Sequence, residues 1–464
     1  MPTVTQYLAS KALDFDSREL PKEVIGQTKN LILNALGSAF MGHLVEPSQI
    51  VESLAVEISG PLECTLWGSG ARSSLPFAVM TNVAKGANTG HWDKCYLEPE
   101  ARVPLGPNRQ LIPALMTVGE YRHLDGRAVL SSIVCAYEIA NRLMGAVGGN
   151  RGLAIHGWGA DCAARPVALA FATGRLLNLS QSQLVNAAGI AGTFGLEPRV
   201  AISPTTRHHL RSPMPAFIAV TASLLALKGY PGPEDLFEGS GGLGEILMNG
   251  EMDLDALKRP LDDWSILYTG VNRTSVDGDV VGLVEATLTL VKEHDIRPAD
   301  VEKVVVRVNP FEAKNQGDPS NVHLRSPKTR EVALHSIYYA TAAAIAERAM
   351  SFDQFLEEKF LNLDPAIQSL MDKIVVEGDE KYTGLNQCGS SEITTSDGTT
   401  RYLEVLYPRG LHPKNQMTDS EHEENFRDMA GRVIGDRQMD QIIETVRRID
   451  DLKNISELIR LLVV

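Results

Sequence analysis

The sequence predicts a mainly α protein, a large all-helical domain plus a smaller α/β domain, and three observations carry that prediction. Apolar residues recur at three- and four-residue spacing through most of the first 260 residues. Continuous β-branched runs and a hairpin signal appear only between 261 and 405. Charged amphipathic helical patterns return after 406. The expected division is therefore 1–260 with 406–464 as the helical domain and 261–405 as the α/β domain.

In chain order, "PKEVIGQTKNLILNALGSAFMGH" places Ile25, Thr28, Ile32, Ala35, Leu36 and Ala39 on one helical stripe. Similar stripes run through "QLIPALMTVGEYRHL", "AVLSSIVCAYEIANRLMGAV", "PVALAFATGRLLNL", "SQSQLVNAAGIAGTFG" and "PMPAFIAVTASLLALKGY". Many of these carry Ala and Gly on both faces, as helices buried on most sides require. "NLSQSQL" and "GYPGPEDLF" supply helix start signals, and the glycines of "EGSGGLG" read as an interdomain hinge. Further on, "VEKVVVRVN" and "KIVVEGDE" read as strands, and "EITTSDGTTRYLEVLYP" reads as a hairpin turning at Asp397-Gly398. "VVGLVEATLTLVKEHD" and "SIYYATAAAIAERA" are helical stretches between them, and "ENFRDMAGRVIGDRQMDQIIETVRRIDDLKNISELIRLL" closes the chain as amphipathic helices.

At 464 residues the chain exceeds the about 250–300 that one core usually serves, so two domains are expected. A net charge of -14 argues against a nucleic-acid partner, which would need clustered Lys and Arg. An anionic small molecule remains compatible if a few arginines converge in one pocket. The five cysteines are scattered, odd in number and never in a CxxC pair, which points to a reducing cytoplasm and to neither disulfides nor zinc. No secretory leader or uncharged membrane-length run is apparent, so no membrane partner is expected. His91 and Asp93 have no third ligand at a familiar spacing, so no metal site is expected; no cofactor motif occurs, since "EGSGGLG" lacks the ending of a phosphate loop.

Several strings, in this order and spacing, resemble the MmgE/PrpD family, which includes 2-methylcitrate dehydratase, cis-aconitate decarboxylase and iminodisuccinate epimerase. They are "AVMTNVAKGANTGHWD", "QLIPALMTVGEY", "AYEIANRL", "ALAFATGRLLNLSQSQLVNAAGIAGTFG", "GYPGPEDLFEGSGG" and "YPRGLHPKNQMTDSE". The resemblance implies that the α/β domain is a lid, that the site lies in the cleft beneath it, and that the protein is a homodimer. It also implies proton removal next to a carboxylate, served by a base, an acid and cationic groups. Asp93 falls on a family aspartate, but Cys95 and Tyr96 replace the acidic pair that follows. Glycines stand where family histidines would be, at Gly90, Gly106 and Gly159. His208 takes the place of a lysine and Arg211 that of a histidine, while a lid lysine falls on Ile266, before Tyr268.

The candidate catalytic residues are accordingly Asp93, retained where its neighbours changed, and His91, His156 and His208 as replacements for the lost histidines. The candidate substrate-binding residues are Arg207, His209 and Arg211 in the basic stretch "TTRHHLRSP", with Arg165, Arg273, Tyr137, Arg142 and Tyr268. Cys95 as a nucleophile would need a base and a lowered pKa, and both it and Lys94 look incidental. Three functions remain open. One is a cofactor-independent lyase or isomerase (epimerase) acting on a small polycarboxylate. Another is a specialised-metabolism enzyme promoting rearrangement or cyclisation of a larger substrate. The last is a catalytically degenerate dimeric binding protein.

Overall fold

A computed structural model describes residues 2–15, 20–87, 89–97, 105–106, 108–159, 162–201, 209–261, 264–385 and 387–464. The fold is mainly α. On the Lys22–His43 helix the predicted stripe faces inward, with Thr28, Ile32, Leu36 and Ala39 buried and Ile25 and Ala35 half-buried. The Gln181–Phe194 helix begins where "NLSQSQL" predicts, because the Ser180 hydroxyl accepts from Gln183 N–H and the Gln183 side chain accepts from Ser180 N–H. Asp125 caps the Gly126–Ala146 helix by accepting from Ala128 N–H.

One apolar cluster gathers these helices with Leu75–Ala87, Leu111–Tyr121, Ala164–Leu176 and Pro213–Leu227, and the C-terminal helices Asp419–Ala430 and Asp436–Arg447 join it through Phe426, Ile442 and Val446. The glycine-rich stretch expected as a hinge lies inside this cluster instead. Leu236 and Phe237 before it and Leu243 within it are buried there, and the chain turns directly into the Leu243–Met248 helix.

A second cluster is built on residues between Val276 and Leu411. Its four-stranded sheet has the spatial order Ile374–Gly378, Val301–Val308, Gly389–Thr395, Thr400–Val405. The first pair is parallel, with Val304 opposite Ile374, and so needs a crossover, which contains the Ile337–Glu347 and Pro365–Lys373 helices. The last pair is the predicted hairpin, and Gly398 takes the positive φ of its turn. A two-residue strand, Asp93–Lys94, pairs antiparallel with Gly270–Val271, beside Cys95 and Val271 of the first cluster. None of the described helices is long and apolar enough to cross a membrane, and the five cysteines are buried.

Candidate functional site

Asp93 sits on the short strand paired with Gly270–Val271 and is 3% exposed. Its carboxylate is fully engaged. Tyr137 OH donates to Oδ2 at 2.7 Å and the Asn108 backbone N–H donates to Oδ1 at 2.9 Å. Asn108 is fixed in turn, its side-chain amide donating to Asn141 Oδ1 at 2.9 Å and accepting from Arg165 Nε at 3.3 Å. Burial pushes the Asp93 pKa above the ordinary carboxylate value. The hydrogen bonds from Tyr137 and Asn108 and the charges of Arg109 and Arg165 offset only part of that.

On its open side Asp93 faces a small cavity of about 10 Å³, space for roughly one water. Its polar lining includes His91, Asp93, Arg109 and Tyr137, and Leu31, Ala35 and Ile112 supply apolar walls. Arg109 is the residue that sequence reasoning missed. Its guanidinium stacks 4.5 Å from the Trp92 ring and its Nε donates to Ser212 Oγ at 2.9 Å. The available signal was an arginine in "GPNRQLIP", beside the displaced histidine position and one turn before an apolar helix.

His91 is 2% exposed, and its Nδ1 lies 3.2 Å from Ser275 Oγ. Burial, reinforced by the Arg330 charge, pushes its pKa down to about 3, so the ring is neutral at physiological pH. It can hydrogen-bond a substrate but brings no proton of its own to donate as an imidazolium. Burial and the Asp93 charge push the Cys95 thiol up, so this cysteine is no thiolate nucleophile.

The other sequence candidates lie elsewhere in the structure. Arg165 is fully buried and stands behind Asp93, where it holds Asn108 rather than lining the cavity. Arg142 donates to Glu138 Oε2 at 3.1 Å and to the Pro260 carbonyl, so it ties the Gly126–Ala146 helix to the distant chain at Pro260. Glu138 also accepts from Ile266 N–H at 2.9 Å and Ser265 Oγ at 3.0 Å, a packing role. His156 is half-buried, with Nδ1 3.3 Å from the Asn249 amide, and Tyr268 is half-buried on the Ser265–Tyr268 turn; neither is among the described residues lining the cavity. Arg273 is exposed, 3.7 Å from Glu421. Arg211 pairs with Glu197 at 2.8 Å. Arg207 and His208 lie outside the described residues. His209 begins the turn His209–Arg211, and its side chain is likewise outside them.

The three glycines explain why no histidine occupies those positions. A Cβ on Gly90, at φ +88°, would meet the Ser275 carbonyl oxygen at 2.1 Å. On Gly106, at φ +122°, it would meet Asn150 Oδ1 at 2.4 Å and Arg165 Nη2 at 2.6 Å. On Gly159 it would meet the Glu197 carboxylate at 2.2 Å, the same carboxylate that holds Arg211. The backbone and the Arg165 and Glu197 side chains have closed over the space that side chains would need.

A helical unit, a mixed sheet unit and a buried aspartate beside a small cavity define the class. The MmgE/PrpD N-terminal domain matches residues 6–255 and the MmgE/PrpD C-terminal domain matches residues 280–450. The chain belongs to the MmgE/PrpD family. It is 23% identical to the cis-aconitate decarboxylase of Aspergillus terreus over 484 residues, 99% of this chain and 96% of that protein. It is 24% identical to the cis-aconitate decarboxylase-like protein oryM of Aspergillus oryzae, covering 99% and 97%, and 22% identical to the cis-aconitate decarboxylase of Mus musculus, covering 100% and 94%. Its relatives are thus of lyase type.

Proposed function

We propose that this protein is a cofactor-independent lyase or isomerase that removes a proton next to a carboxylate or carbonyl of a small polycarboxylate. The observation that carries the reading is the convergence of Asp93, Tyr137 and Arg109 on one buried cavity. In this reading Asp93 is the base: the C–H bond breaks, its proton passes to the carboxylate, and the electron pair moves into the substrate's carboxylate as an enolate. Arg109 stands where it can hold that developing charge in a site of low dielectric. The hydrogen bonds from Tyr137 and the Asn108 N–H favour the ionised form, working against burial, which raises the pKa and makes the carboxylate a stronger base. Return of the proton gives an isomerase, and expulsion of a β-hydroxide from the enolate, leaving as water, gives a lyase. Loss of carbon dioxide requires the proton to be returned first at another carbon, so that the electron pair of the broken C–C bond can move through a double bond into a second carboxylate. The relatives' names support a citrate-like or aconitate-like acid as substrate. The cavity, about 10 Å³, has room for roughly one water, so binding a citrate-like acid requires it to open.

The test is incorporation of solvent deuterium into a panel of citrate-like acids, followed by proton NMR. Exchange that disappears in Asp93→Asn is expected; no exchange with any acid refutes the reading. A second reading, a binding protein without turnover, draws on the cavity's small size and the closure at Gly90, Gly106 and Gly159. Under it an acid raises the melting temperature while exchange stays at background.

A further inference from the structure

The segment 272–279, between the two stretches matched by the family's domains, grips the strand of Asp93 position by position. Asn272 Nδ2 donates to Gly90 O at 3.1 Å, Ser275 Oγ meets His91 Nδ1 at 3.2 Å, and Asn272 N–H donates to Trp92 O at 3.0 Å. The grip is firmest at the two residues flanking Asp93. Lys94, 4% exposed, extends its ammonium to Asp279 Oδ1 at 2.9 Å, passing so close to Gly278 that a Cβ there would lie 2.7 Å from Lys94 Cε. The Trp92 ring packs 6.1 Å from the His335 ring, and His335 Nε2 lies 2.9 Å from Asp277 Oδ2. Asp277 and Asp279 belong to one turn, in which Asp277 Oδ1 accepts from Asp279 N–H at 3.0 Å and from Gln316 Nε2 at 3.1 Å.

A buried lysine is costly unless paired, and a buried acid likewise. Burial works against the Lys94 ammonium, but Asp279, with Asp277 and Glu312, more than offsets it and lifts the pKa above the ordinary lysine value. The side chain therefore stays charged and docked. Of the two units, the lysine belongs to the strand that carries Asp93 and the acids to the other, so the pair exists only while the units are together.

We infer that the Asp277–Gly278–Asp279 turn is a clamp that positions Asp93, gripping Lys94 directly and Trp92 through His335, so that the carboxylate is aligned on Tyr137 only when the smaller unit is seated. Lys94 and Asp279 are positioning residues; they touch no substrate. The inference rests on the reading of Asp93 as the base, but its first test needs no turnover. Cys95, fully buried one residue beyond Lys94, reports on the strand through its rate of alkylation by iodoacetamide, read by mass spectrometry on the full chain. In Lys94→Met and in the near-isosteric Asp279→Asn, Cys95 alkylation rises about tenfold or more, because a buried pair has lost one member. Cys64 and Cys135, buried elsewhere in the large cluster, keep their wild-type rates. Unchanged Cys95 alkylation in both variants, or an equal rise at all three cysteines, overturns the clamp.

Where an exchanging acid is found, Lys94→Met lowers the saturated exchange rate by about a hundredfold, the scale of a misplaced catalytic group, with the half-saturating concentration little changed. Lys94→Arg restores most of the rate. If the wild type exchanges no acid, the proposed reaction falls and the alkylation result alone decides the clamp.

Discussion

Replacing Gly90 with alanine puts a methyl group where the Ser275 carbonyl oxygen already sits, 2.1 Å away. Two costs combine. The backbone at φ +88° is one that residues with a Cβ adopt only at about 1–2 kcal/mol. The collision is with main chain, which cannot rotate aside, so overpacking adds about 1–3 kcal/mol and the sum is about 2–5 kcal/mol. Gly157 separates the two contributions. It has nearly the same φ, +83°, but its Cβ would meet nothing within 4 Å among the described residues, so for Gly157→Ala the conformational cost of about 1–2 kcal/mol is expected. Urea unfolding of both variants, compared at constant m value, gives the difference. If Gly90→Ala is destabilised no more than Gly157→Ala, the close approach of Ser275 is not real. The account of why position 90 accepts no histidine then fails with it.

The remaining predictions concern charge. Arg109→Gln removes the cation facing Asp93 and weakens binding of a carboxylate substrate by about 1.5–3 kcal/mol, roughly ten- to hundredfold, measurable by calorimetry. Unchanged affinity would remove Arg109 from the site. His91→Asn leaves the shape of the exchange rate's pH profile between pH 5 and 8 unaltered, since a ring held at about 3 is already neutral there. Loss of a titrating limb would show that His91 works as an acid after all. Burial, with Asp279 and Asp277 nearby, pushes the Glu312 pKa up to about 8, above its unfolded value of 4.5. The folded state then binds the extra proton between those values, so stability falls as pH rises from 4.5 to about 8. Glu312→Gln flattens that slope in thermal scans taken across the same window; an unchanged slope assigns it to other groups.

Much of the framework was legible because it rests on local signals. The stripe on Lys22–His43, the Ser180 capping box and the Asp397-Gly398 hairpin turn each depend on residues within a few positions of one another. The glycine-rich 238–244 stretch misled for the same reason. Glycine marks a bend in the chain but not whether the bend lies between cores, and here Leu236, Phe237 and Leu243 hold it within one. Lys94 looked incidental because its partner, Asp279, is 185 positions away.

By itself the sequence determined the helical stripes and the strand runs, which follow from residue type and spacing alone. Its resemblance to the family added the absence of the family's histidines at 90, 106 and 159 and the retention of Asp93. Only the tertiary structure decided which polar groups meet. It brought Arg109, chosen by no local pattern, to face Asp93, and it turned Arg142 toward Glu138. It also decided that the missing histidines leave no open space, because Ser275, Arg165 and Glu197 arrive there from distant parts of the chain. Proximity between residues far apart in sequence is set by how whole helices and sheets pack, and charge and pKa depend on that proximity more steeply than on residue identity.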